Sequence, residues 1–227
     1  MADNVVITPG VGKTIATDDV GSVHYQRCKI SIGADGSASD VASDPSTSAL
    51  ATIDYGHLEI HEGDSFTAQM YQLVSDTSDR TTLGFKTPAG TKMIHMFASG
   101  AATAAALFII REGVTVADNT GATHAAINRR RDSETVTIAV DTSQTPDTAG
   151  SITYWAEAAQ ASVTEDGTVL YQEVIANDKT KGGGAVRGDA EFVLKASTQY
   201  VIYLKSLSAD DNYHGLVLNW YEHTDVN

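Results

Sequence analysis

The sequence predicts an all-β protein, and three observations carry that prediction. Short runs with strand-like alternation recur between turn signals through most of the chain. Nineteen glycines and four prolines fall mostly where those turns are wanted. The first stretch with a clear internal plan, residues 12–36, holds no apolar stripe long enough for a helix.

Residues 1–40 read as an extended N-terminal arm. A polar run rich in Thr and Asp precedes a turn at Val20-Gly21-Ser22, an extended run follows to Ile32, and Gly33-Ala34-Asp35-Gly36 turns the chain again. Such a segment buries little of itself and is expected to lie on another surface. Residues 41–54, rich in Ser, Ala, Asp and Thr with a turn signal at Asp44-Pro45, read as a linker. Residues 55–227 read as a β-sandwich or barrel. Its strands are expected at 57–61, 66–74, 82–87, 92–98, 104–111, 135–140, 152–155, 169–176, 192–195, 200–207 and 216–222. Residues 122–131 and 155–161 are the two places where a short helix fits, and 181–184 (Lys-Gly-Gly-Gly) read as an exposed loop.

Composition narrows the function. With 227 residues, 42% of them hydrophobic, the chain can fill a core. A formal net charge of -14 disfavours nucleic acid and anionic membranes as partners, because phosphate binding needs clustered Lys and Arg. Cys28 is the one cysteine, so no intrachain disulfide forms. Met-Ala-Asp-Asn lacks the basic and apolar regions of a signal peptide, and the longest apolar run, 98–110, is too short and Ala-rich to span a bilayer.

The candidate chemistry is sparse. Gly12-Lys13-Thr14 invites a nucleotide-binding reading, but the phosphate loop needs a glycine where Ile7 stands, and a strand before it and a helix after it. On a strand, His57, Glu59 and His61 would share one face. That face could ligate a metal, but with no other ligand spacing in support it reads as a polar surface meeting solvent or a neighbouring subunit. Arg129-Arg130-Arg131, the one basic run, is either a solvated loop or a contact with a neighbour's acidic residues. No Ser sits in a Gly-x-Ser-x-Gly elbow, and aromatics at 7% are few for a glycosidase. We therefore expect no enzyme: no catalytic residue, cofactor or metal ligand is assigned. Leu216, Leu218 and Trp220 share a face, which points to a final core strand.

The run Asp19-Val20-Gly21-Ser22-Val23-His24-Tyr25-Gln26-Arg27-Cys28-Lys29-Ile30, followed by Gly33-Ala34-Asp35-Gly36, resembles a segment that recurs near the N-termini of tailed-bacteriophage structural proteins. It departs from that pattern at Ser22, where a second Gly is usual, and at Cys28, where Val is usual. Ile60-His61-Glu62-Gly63-Asp64-Ser65-Phe66 is similar to a stretch met in virion proteins. The resemblance covers at most about the first 70 residues, by motif matching alone. It implies a head decoration (cement) protein, assembled in the host cytoplasm, that coats the outer surface of the capsid. Its partners would be the major capsid protein and itself, as a homotrimer of jelly-roll knobs. The arm would dock through Ile15, Val20, Val23, His24, Tyr25, Gln26, Arg27, Lys29 and Ile30, with His57, Glu59, His61 and Arg129, Arg130 and Arg131 as candidate subunit contacts. Two further expectations stand beside it: a tail, baseplate or fibre component, and a carbohydrate-binding β-sandwich for host adsorption.

Overall fold

In a computed structural model of the chain, the described residues are 17–20, 23–26, 31–32, 39–40, 54–117, 120–141, 148–155, 162–175, 182–185 and 191–224. The chain divides into two compact units, Met1–Ile53 and Asp54–Asn227. In the first unit, strands β1 (Thr17–Val20) and β2 (Val23–Gln26) pair antiparallel, with Val20 opposite Val23; the expected turn residues Gly21 and Ser22 lie outside the described residues. Two-residue strands β3 (Ser31–Ile32) and β4 (Ser39–Asp40) pair likewise. The expected turn at 33–36 and most of the linker lie outside the described residues.

The second unit begins with helix α1 (Tyr55–Glu62). Four long strands follow: β5 (Ser65–Val74), β6 (Arg80–Lys86), β7 (Lys92–Ala102) and β8 (Ala106–Glu112). Short strands β9 (Ala122–Ala125), β10 (Ile127–Asn128), β11 (Val140–Asp141), β12 (Thr148–Ala149) and β13 (Ser151–Trp155) come next. The chain ends on β14 (Thr168–Ile175), β15 (Gly182–Ala185), β16 (Phe192–Val193), β17 (Gln199–Ser206) and β18 (Asn212–Thr224).

These strands form two antiparallel sheets packed as a sandwich. One runs β10-β5-β18-β7-β15 and the other β12-β11-β6-β17-β8-β14. Numbered one to eight in chain order, strands β5, β6, β7, β8, β14, β15, β17 and β18 stand in the sheets as 1-8-3-6 and 2-7-4-5. That is the jelly-roll order, with sequence neighbours β5/β6, β6/β7 and β7/β8 crossing between sheets.

Alternation builds the core. On β7, Ile94, Met96 and Ala98 point inward, and on β18 Leu216, Leu218 and Trp220 do the same. They meet Leu83, Phe85, Phe108, Tyr200, Ile202 and Leu204 of the facing sheet, as the C-terminal pattern predicts. A smaller apolar cluster covers the far side of that second sheet: Trp155 and Val163 pack on Ile109, Val201 and Tyr203. This leaves β6 buried along both faces. Gly84 is required there, because a Cβ would stand 2.7 Å from the Tyr200 carbonyl oxygen and 2.8 Å from the Trp155 ring.

Four expectations are corrected. Residues 57–61 are helical, because Asp54 caps the helix N-terminus by accepting from the His57 N–H, and Gly63, at φ 85°, closes its C-terminus with its N–H on Glu59 and Ile60 carbonyls. Residues 122–131 hold β9 and β10 rather than a helix; β9 pairs with β13, and β10 with β5. Residues 135–139 are irregular: the Ile138 N–H is taken by the Glu222 carboxylate at 3.0 and 3.1 Å instead of by a strand partner. The expected loop at 181–184 contains β15, whose glycines pair with Ala102, Ala101 and Gly100 of β7. The helix option at 156–161 lies outside the described residues.

Candidate functional site

The first sheet turns the other side of its pleat outward, and α1 lies against that face. Register places Tyr221 opposite His95 and His223 opposite Met93, so Tyr221, His223 and His95 share the outer surface of β18 and β7. Tyr55 and Glu59, one turn apart on α1, reach them, and Glu191 approaches just before β16.

Contacts run through these side chains in series. Glu59 is hydrogen-bonded by Tyr55. The Tyr55 hydroxyl lies 3.1 Å from His223 Nδ1, and His223 Nε2 lies 2.6 Å from His95 Nε2. His95 Nδ1 reaches Glu191 at 2.5 Å, and the Tyr221 hydroxyl donates to the same carboxylate oxygen. The rings stack as well, His95 lying on Tyr221 at 4.7 Å between centroids. Glu59 is 2% exposed, and its second carboxylate oxygen has no hydrogen-bond partner. Burial is the main reason its pKa is raised, partly offset by the Tyr55 hydrogen bond. The Tyr221 hydroxyl is likewise held well above the usual tyrosine range, by burial and then by its bond to Glu191.

On the inner side of the same strand, Glu222 is fully buried and saturated. It accepts from Thr137 Oγ1, the Ile138 N–H and Trp220 Nε1. Burial raises its pKa despite these donors. It pins the segment before β11 to the core strand, so its role is architectural.

The candidate contact residues do not gather as the strand reading supposed. His57 and His61 are exposed on α1 with Nε2 atoms 2.9 Å apart, whereas Glu59 points the other way into the sheet. The pair offers two imidazole ligands, and among the described residues no group of three or more His, Cys, Asp or Glu converges as a metal site. Arg129 and His57 line one recess of about 300 Å³ with Phe97, Asn219 and Tyr221. Arg130 donates to the His61 carbonyl oxygen at 2.6 Å and pairs with Asp132 at 3.0 Å, while Arg131 donates to the Asn128 carbonyl oxygen at 3.2 Å. The structure thus joins α1 and the arginine run into one exposed polar surface. Of the arm residues, Val20, Val23, His24, Tyr25 and Gln26 lie on the paired strands β1 and β2; Ile15, Arg27, Lys29 and Ile30 lie outside the described residues.

Sequence reading missed the histidine and tyrosine series, since its members are up to 168 positions apart. It also missed Tyr71 and Tyr213. They are 70% and 41% exposed and stack at 5.5 Å with 13° between ring planes, on the outer face of β5 and β18. Alternation along those two strands carries the signal: Tyr71 and Leu73 fall on the outward phase of β5. Among the described residues, no helix is long and apolar enough to cross a membrane. The chain matches no protein-family model, no curated protein and no solved structure.

Proposed function

We propose that this chain is a structural protein of a tailed-phage particle, a head decoration protein that binds the outer capsid surface and bridges neighbouring capsid subunits. The observation that carries the reading is the division into a jelly-roll unit, 54–227, and a separate N-terminal unit, 1–53, which holds the run resembling phage structural proteins. In this reading the N-terminal unit supplies backbone edges for strand addition on a partner. The knob stands outward, and many modest contacts add up by avidity. The α1 and Arg129–Arg130–Arg131 surface is the candidate contact between copies in a homotrimer, its cations meeting acidic groups of a chain that carries a net -14. The role is mechanical and calls for no catalytic step.

The test is imaging of virions labelled at the C-terminus of this chain. Label over the head surface supports the reading. Label confined to tail, baseplate or fibres replaces it with those parts. A second reading, sugar binding during adsorption, is favoured by the exposed Tyr71 and Tyr213 rings, since stacking on a sugar needs open aromatic faces. A glycan array with wild type and Tyr71→Ala separates the two.

A further inference from the structure

The series beneath α1 has a property that follows from counting protons. Glu59, Tyr55, His223, His95, Glu191 and Tyr221 make five successive contacts, and each needs one proton to be a hydrogen bond. Tyr55 and Tyr221 bring one each, and the two neutral imidazoles bring one each. With both carboxylates ionised, that makes four. Glu191 as a carboxylate can only accept, so His95 Nδ1 carries hydrogen; Glu59 as a carboxylate likewise takes the Tyr55 proton, and Tyr55 then accepts from His223 Nδ1. Two bare Nε2 lone pairs are left facing each other across 2.6 Å. The series closes only with a fifth proton. Placed between the imidazoles it makes one imidazolium. Placed on Glu59 it reverses the series, Glu59 donating to Tyr55, Tyr55 to His223 Nδ1, and His223 Nε2 to His95 Nε2.

We propose that this cluster is a proton-operated latch that holds α1, at the entry to the jelly-roll unit, against the sheet. One proton, held by Glu59, by the histidine pair or by Glu191 at the other end of the series, closes it. Losing that proton as pH rises opens it. The other charged or titratable groups around the latch are Glu62 and Asp64, at and just after the C-terminus of α1, Lys92 on β7, which is paired with Asp64 at 2.8 Å, and Asp54, His57 and Arg129, which line the recess beside Tyr221. The proposal stands independently of any role on a phage particle.

The experiment is hydrogen exchange of the α1 amides in the full chain, corrected for intrinsic rates, from pH 6 to pH 10. In wild type, protection should fall about tenfold per pH unit beyond the release point, the slope of one proton. Glu59→Gln should flatten the profile, because the carboxamide N–H donates to Tyr55 and closes all five contacts with no extra proton. Tyr55→Phe should flatten it too, at lower protection, since it leaves three contacts for three protons. A flat wild-type profile, or the wild-type slope retained in either variant, would overturn the latch.

Discussion

At the scale of single residues, burial decides the chemistry. His214 is fully buried on β18, with Nδ1 3.2 Å from the Thr81 hydroxyl and Nε2 without a partner. The Thr81 proton is donated to Gln72 at 3.0 Å, so His214 Nδ1 must itself donate. Burial pushes the imidazole down to about 4, against a slight opposing pull from Asp79. The folded state therefore resists a proton that the unfolded chain accepts below pH 6.5. Stability should be lost as pH falls from about 6.5 to 4, at up to about 1.4 kcal/mol per pH unit. His214→Leu should remove that part of the slope, read as denaturant midpoint against pH. Packing is equally demanding at Gly84, where the Tyr200 carbonyl and the Trp155 ring leave no room for a methyl. Gly84→Ala should cost about 1–3 kcal/mol in urea unfolding.

Elements show what one sequence can and cannot tell. Strands β5, β6, β8, β14, β17 and β18 were legible because short runs carrying Val, Ile, Leu and aromatic residues, alternating in some and continuous in β8, stand between turn residues. Strand β15 was not. Gly182, Gly183 and Gly184 have no strand preference of their own, and they pair because the facing part of β7 is Gly100, Ala101 and Ala102. Helix α1 was misread because His57-Leu58-Glu59-Ile60-His61 alternates with period two, while the deciding signals were its ends, Asp54 and Gly63. Asp54→Ala should weaken the unit by about 1 kcal/mol in urea unfolding, with the loss concentrated in α1 amide protection. The series beneath α1 was not legible, because β-sheet register, and no local pattern, sets His95 beside Tyr221 and His223.

At the scale of the whole molecule, the chain divides into two compact units. The jelly roll has its own core, in which Phe66, Phe85, Trp220 and Tyr200 are buried within residues 54–227. Residues 54–227 alone should therefore fold and melt cooperatively within a few degrees of the full chain. The measurement that tests the account most directly is binding of the full chain and of residues 54–227 to phage heads stripped of decoration protein. The full chain should saturate the heads and the isolated jelly roll should fail to bind while remaining folded. Equal occupancy by the isolated jelly roll, or no binding by the full chain, would contradict it.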